Sequence, residues 1–207
     1  MPHPSDPAPD PDPPVALSPR RLHLVEAALH MVAENGLRGL THRAVDRRAG
    51  LPEGSCSAYL RTRRALQAAL TEHVAGTLAR DVDLLTEDLR AHAPDNDHGV
   101  ELTGRLLRRW LDERELLLAR VELSLEASRD PELAALLASW RARLVAAVAG
   151  LLAARGRTRS DEVAEALVAS FDGILFAALL KPDDSRRAFL EQSLDLLMGA
   201  FSTPVVA

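Results

Sequence analysis

The 207-residue sequence has one cysteine, one lysine among its 25 basic residues and only 3% aromatic residues. A single cysteine, Cys56, excludes an intramolecular disulfide, and we expect it to be a small buried apolar residue rather than a redox sensor. No apolar run approaches the roughly 20 residues of a membrane span. The Pro- and Asp-rich start lacks the basic and apolar segments of a signal peptide. These absences predict a cytoplasmic protein with no membrane contact.

Sequence motifs of catalysis are also missing. We find no Gly-rich phosphate loop, no Cys/His spacing for a metal and no nucleophile elbow. The carboxylates are scattered over the exposed faces of the expected helices. We therefore expect neither enzymatic activity nor a cofactor.

The positions of the prolines favour an all-α fold, because none has to interrupt a helix. Seven of them lie in residues 1–17, which we expect to be a disordered Pro/Asp-rich tail. Between the other prolines, apolar residues recur at helical spacing. We predict a helix-turn-helix domain of three helices at residues 18–62 and a helical ligand-binding and dimerisation domain at residues 63–202.

Residues 41–66 have the pattern of a helix, a tight turn and a second helix. Thr41 is a good N-cap for the first of these helices, and Gly50 can take the left-handed conformation that ends it. Pro52 fits the entry to the second helix, at about residues 53–60. In a helix-turn-helix the second helix enters the DNA major groove.

Charge supports this interpretation. Residues 18–66 contain nine arginines and four acidic residues, a balance of +5 in a chain of net charge -5. A basic end on an acidic protein is typical of a nucleic-acid-binding domain joined to another domain, although a solvated basic face is the simpler alternative. Arg61, Arg63 and Arg64 stand at the start of a helix, where the helix dipole disfavours cations. A phosphate would relieve that cost.

Residues 22–70 resemble the DNA-binding domain of transcriptional regulators of the tetracycline-repressor (TetR) family. The features that carry the resemblance are a first helix ending at Gly36, the Leu40-Thr41 junction, the Ala49-Gly50-Leu51 turn, Gly54-Ser55 opening the recognition helix, and Tyr59-Leu60 followed by Arg63 and Leu66. The sequence departs from the family pattern at Ser57, where an aromatic residue is usual, and at Leu60, where phenylalanine is usual. The loss at position 57 affects one expected contact with the DNA backbone.

The resemblance implies a homodimeric, ligand-responsive repressor that binds a palindromic site on double-stranded DNA and is released by a small apolar molecule. By position, the DNA-contacting residues would be Thr41, His42, Arg43, Glu53, Ser55, Ser57, Ala58, Tyr59, Arg61 and Arg63. An alternative is a helical small-molecule-binding protein that binds DNA only non-specifically.

The second domain offers fewer signals. Trp110, Arg120, Glu122 and Trp140 are candidate ligand-binding residues, with core packing or solvent exposure as the alternatives. Residues 171–180, FDGILFAALL, are apolar on nearly all sides, which predicts that a second copy of the chain covers them, with burial within one chain as the alternative. The expected dimer interface, two helices from each chain, comprises Val163, Leu167, Phe171, Ile174, Leu175, Ala178, Phe189, Leu194 and Leu197.

A polar loop at residues 91–99 contains His92, Asp95, Asp97 and His98. These residues are metal ligands by type. Two histidines and two aspartates in one exposed loop more often reflect ordinary loop polarity, so we predict no metal site.

Overall fold

The computed structural model describes residues 18–91, 96–154 and 156–202, and all the regular structure in these ranges is α-helical. The helices are α1 (Pro19–Gly39), α2 (His42–Arg48), α3 (Ser55–Tyr59), α4 (Arg63–Ala91), α5 (Asn96–Asp112), α6 (Arg114–Ala127), α7 (Pro131–Ala154), α8 (Ser160–Leu179) and α9 (Arg186–Ser202). The predicted all-α fold with an N-terminal helix-turn-helix is confirmed. The predicted tail at 1–17, and His92 and Asp95 of the candidate metal loop, lie outside the described residues.

Local side-chain chemistry sets the first helix ends. The Ser18 hydroxyl accepts a hydrogen bond from the Arg21 amide at 3.3 Å, and the Thr41 hydroxyl accepts one from the Ala44 amide at 3.2 Å. Each hydroxyl thereby satisfies a backbone donor that has no partner within its helix. Gly36, at φ 65° and ψ 178°, takes the chain out of the α1 helix proper, and Gly50, at φ 65°, ends the turn after α2.

Helix α4 is the longest of the described helices, with 29 residues. It joins residues 18–62, which we call the head, to α5–α9, and we call α4–α9 the larger helical part. It packs against α1 and also against α5, α6 and α7. Leu66, Leu70 and Leu78 on α4 are almost completely buried. These leucines belong to one hydrophobic core that extends from Leu24 on α1 to Leu190 on α9. The head is therefore attached to the rest through packed side chains rather than through a linker.

Helix α7 corrects one expectation from the sequence. Its 24 residues, with a mean hydropathy of 1.5 over an 18-residue window, make it long and apolar enough to cross a membrane by length and composition. Arg141 and Arg143 interrupt the apolar run of this helix in the sequence. Helix α7 packs against α4, α6 and α8, and only 17% of the apolar window is buried within the chain.

Substitution of Gly36 should destabilise the protein, because the backbone conformation at this position favours glycine. At φ 65° and ψ 178°, Gly36→Ala would place a Cβ atom 3.3 Å from a carboxylate oxygen of Glu122. We expect the free energy of unfolding to fall by about 1–3 kcal/mol. The matched control is Gly76→Ala inside α4, where the nearest contact of a Cβ is an ordinary 3.7 Å. This change should raise stability by about 0.5–1 kcal/mol. Urea unfolding of both variants checks the prediction, and shifts of the same sign would contradict it.

Candidate functional site

A buried carboxylate on α2 holds the short helix α3 in place. Asp46 is 1% exposed, and its two oxygens accept hydrogen bonds from the Gly54 amide at 2.8 Å and the Cys56 amide at 2.6 Å. These amides lie at the start of α3, where backbone donors have no partner within the helix and where negative charge is favourable. Five residues are too few to form a stable helix alone. The orientation of α3 therefore depends on α2.

The inner side of α3 is closed by the side chains of Cys56 and Leu60, which are both buried. Burial and, to a smaller extent, the nearby Asp46 carboxylate raise the pKa of the Cys56 thiol to about 11. The thiol therefore stays protonated at neutral pH, where the thiolate would be the reactive form. Its role in the structure is that of a small apolar side chain.

The outer side of α3 and the adjoining parts of the head form one exposed surface, which we call the head surface. It contains Thr41, Arg43, Glu53, Ser57, Ala58, Tyr59 and Arg61, with Ser55 and His42 half-buried at its edges. The Nε2 atom of His42 donates to the Leu60 carbonyl at 2.6 Å, so this imidazole helps to position the end of α3. Arg43 and Glu53 are both exposed, and their closest charged atoms are 3.9 Å apart. Because so long and exposed an ion pair contributes little, the Arg43 guanidinium is available to a phosphate.

The Arg63 guanidinium is not directed to the head surface. Its guanidinium donates to the Leu40 carbonyl and to the Leu37 carbonyl, both at 2.5 Å, and is thereby directed to the turn between α1 and α2. Arg64 pairs with Asp130 at 3.1 Å and with Glu132 at 2.9 Å. Of the three arginines expected to form a phosphate seat, only Arg61 makes no side-chain hydrogen bond or ion pair with another described residue.

Glu122 also has a position that the sequence did not predict. Its carboxylate on α6 accepts a hydrogen bond from the Leu37 amide at 3.1 Å, so it binds the backbone of the α1–α2 turn and does not line a ligand cavity. Leu37 is thus held at its amide by α6 and at its carbonyl by Arg63 of α4. We call these contacts the turn clamp. They connect the head directly to two helices of the larger helical part.

A cavity of about 140 Å³ lies within that larger part. Its lining comes from α4, α5, α7, α8 and α9, and most of the lining side chains are aliphatic. Trp110, one of the predicted ligand-binding residues, lies in the wall, where its indole N–H donates to Asp81 at 2.8 Å. Asp81 is buried on α4 and also accepts from Arg109, so the two neighbouring α5 residues are fixed against α4.

The other two candidate ligand-binding residues lie outside the lining of this cavity. Arg120 pairs with Asp172, which belongs to the lining, and its guanidinium stacks 5.3 Å from the ring centre of Trp140. Trp140 borders a smaller cavity of about 20 Å³ that shares Val82 and Leu144 with the larger one. Phe171 and Leu167, predicted at the dimer interface, line the larger cavity instead.

The residues predicted at the dimer interface are not the most exposed apolar residues of the last two helices. Leu167, Leu175, Ala178 and Leu194 are buried within the chain, while Val163, Phe171, Ile174, Phe189 and Leu197 are half-buried. Exposed instead are Phe176 at 47%, Leu180 at 73% and Leu196 at 73%. On α8, Phe176 and Leu180 continue an exposed stripe of small residues formed by Ala166, Ala169 and Gly173.

Comparisons with known proteins agree with this architecture. Residues 94–200 match the family model described as the C-terminal domain of tetracyclin repressor-like proteins. The multidrug binding protein EbrR, solved with imidazole, is 31% identical with a TM-score of 0.59, over 85% of this chain and 95% of that chain. A member of the TetR family from Streptomyces coelicolor A3 is 30% identical with a TM-score of 0.62, over 85% and 98%.

A transcriptional regulator from Rhodococcus sp. Rha1 has a TM-score of 0.78 at 20% identity, over 90% of this chain and 99% of that chain, a similarity that shows the fold alone. No curated protein sequence matches the chain significantly.

Asp46→Asn should loosen α3. The side chain of asparagine has one oxygen where aspartate has two, so it can accept from only one of the two backbone amides and the other loses its partner. We expect a loss of about 1–3 kcal/mol in the free energy of unfolding. Because the Cys56 thiol reacts only when α3 opens, it should also be alkylated faster. Asp195→Asn, at an exposed position on α9, is the control. Alkylation rates that are equal in the two variants would contradict the role of Asp46.

Proposed function

Because the chain belongs to the tetracycline-repressor-like family of transcriptional regulators, we propose that it is a homodimeric repressor controlled by a small molecule. It binds a palindromic operator on double-stranded DNA through two copies of α3. A small apolar effector in the cavity of the larger helical part releases the DNA. The protein acts in the cytoplasm, in association with the nucleoid, and catalyses no reaction.

The observation that carries this proposal is the presentation of α3. Its inner side is fixed by Asp46, Cys56 and Leu60, while Ser57, Ala58 and Tyr59 face solvent. Short side chains allow a helix to approach base edges closely, and a methyl group such as that of Ala58 suits the methyl group of thymine. The exposed hydroxyls and arginines of the head surface, Thr41, Arg43, Tyr59 and Arg61, suit the phosphates on either side.

The proposed dimer uses the exposed stripe of α8 and the exposed face of α9. Phe176, Leu180 and Leu196 are large apolar side chains in water, and the neighbouring small residues allow two helices to approach closely. A second copy related by twofold symmetry would cover the same surface on both chains. Two-fold symmetry also supplies two α3 helices for the two halves of a palindrome.

The turn clamp supplies a route for control. Helix α6 presents Arg120 to Asp172 of the cavity wall and Glu122 to the Leu37 amide of the head. An effector shifts the equilibrium only if it binds the DNA-incompetent arrangement more tightly than the competent one. A small molecule that displaces Asp172 would move α6 and thereby the turn that carries α2 and α3. The similarity to the multidrug binding protein EbrR supports the binding of a small molecule.

The experiment that tests the function is an anisotropy titration at two salt concentrations, on DNA upstream of the protein's own gene and on sites selected from random DNA. A scrambled duplex of equal length is the reference. We expect a preference of roughly a thousandfold or more. Equal, steeply salt-dependent binding to all duplexes would instead support a small-molecule-binding protein with only non-specific DNA contacts.

Two neighbouring arginines should behave differently in this titration. Arg61→Ala should weaken binding to all duplexes and lower the salt slope by about 1, as expected for a lost phosphate contact. Arg63→Ala should leave the slope near that of the wild type and lower stability instead, because its guanidinium binds backbone carbonyls. A slope change for Arg63→Ala with unchanged stability would mean that this side chain turns to DNA.

Phe176→Glu should dissociate the proposed dimer, because a charge would be buried without a partner between two copies. Leu84→Glu is a matched control, since Leu84 is also a large exposed apolar side chain, at 61%, but belongs to α4. Sedimentation velocity over a range of concentrations should give a monomer for the first variant and a dimer for the second. A dimeric Phe176→Glu protein would exclude this face.

A further inference from the structure

The lining of the cavity offers almost no free polar group to a ligand. The Thr86 hydroxyl donates to the Val82 carbonyl and the Thr103 hydroxyl to the Gly99 carbonyl, both at 2.8 Å. The Trp110 N–H is used by Asp81. Every hydrogen-bond donor on the lining side chains therefore already has a partner inside the protein. A polar ligand would lose its hydrogen bonds to water on entry and gain few in return.

The one charged group in the lining is already neutralised. One oxygen of Asp172 accepts from Arg120, and the other accepts from Arg141 at 2.7 Å. Arg141 also lies 3.4 Å from Glu165, so two cations and two anions balance one another. An organic cation entering the cavity would meet a carboxylate that already has two positive partners. An organic anion would meet arginines that already have carboxylates.

The cavity is partly open to solvent, and its volume indicates how large a group it can enclose. In another protein, an apolar cavity of about 150 Å³ stays dry and accepts benzene. The cavity of about 140 Å³ described above is of that size, and its aliphatic lining is completed by Trp110 and Phe171. Both its volume and its lining suit a single apolar ring.

We propose that the cavity binds a neutral, apolar molecule of roughly six to ten non-hydrogen atoms, such as an alkylbenzene, and excludes an organic cation of the same shape. The inference rests on the proposed function in taking this cavity as the effector site. It goes further in naming the charge and the size of the effector.

The test uses two probes of nearly identical shape, tert-butylbenzene and phenyltrimethylammonium, which differ by a carbon atom in place of a charged nitrogen. Calorimetric titration of the full-length protein should show binding of the neutral probe at least about tenfold tighter than binding of the cation. Equal affinities, or a preference for the cation, would overturn the proposal. So would the absence of binding by the neutral probe.

Two variants two residues apart on α7 locate the binding. Val148 lines the cavity, whereas Ala146 is exposed and is not among the lining residues. Val148→Trp should fill the cavity and abolish binding of tert-butylbenzene, and Ala146→Trp should leave it unchanged. Loss of binding in both variants, or in neither, would place the probe elsewhere and overturn the assignment.

The charge cluster is tested separately. Arg141→Gln removes the more exposed of the two cations beside Asp172 and should reduce the preference for the neutral probe by about threefold or more. An unchanged preference would contradict the role of the cluster.

Because probe binding is measured without DNA, a failure of this inference can be told apart from a failure of the proposed regulatory function. A protein that prefers the neutral probe but binds no specific DNA would keep this inference and lose the proposed function.

Discussion

The turn between α1 and α2 is the point on which the arrangement of the head depends. Gly36 takes the chain out of α1, and the next residue, Leu37, is held at its amide by Glu122 and at its carbonyl by Arg63. Hydrogen bonds to charged groups are among the stronger ones in proteins. Because α2 follows this turn and Asp46 of α2 holds α3, the position of α3 relative to the larger helical part is set by a short series of backbone contacts.

The two candidate sites differ in how they treat polar groups. On the head surface, hydroxyls and guanidinium groups remain exposed to solvent. In the cavity, the threonines, the tryptophan N–H and the carboxylate are satisfied within the protein. The first arrangement suits a highly charged partner and the second suits a neutral one. Helix α6 connects the two indirectly, because Arg120 pairs with Asp172 of the cavity wall and Glu122 binds the turn that leads into the head surface. This arrangement suits a protein in which one binding event alters the other.

The sequence predicted the parts of the structure that depend on neighbours along the chain. Thr41, Gly36 and Gly50 act on helix ends within a few residues, so the helix-turn-helix could be placed correctly. Arg63 and Glu122 could not, because Leu37 lies 26 and 85 positions away from them. On α8 the apolar residues occupy more than one face, and helical periodicity alone cannot tell which face turns inward. The sequence therefore indicated that residues 171–180 have an apolar side beyond the core, but not that Phe176 and Leu180 are the most exposed large residues on it.

The carboxylate of Asp46 also has a consequence for how such a head can diversify. It holds α3 through the backbone amides of Gly54 and Cys56, and backbone amides are present whatever side chains surround them. The side chains at positions 57, 58 and 59 take no part in that attachment to Asp46. They can be exchanged during evolution, or in a designed library, while the helix that presents them keeps its place. The head thus separates the residues that determine its architecture from those that are free to change its specificity.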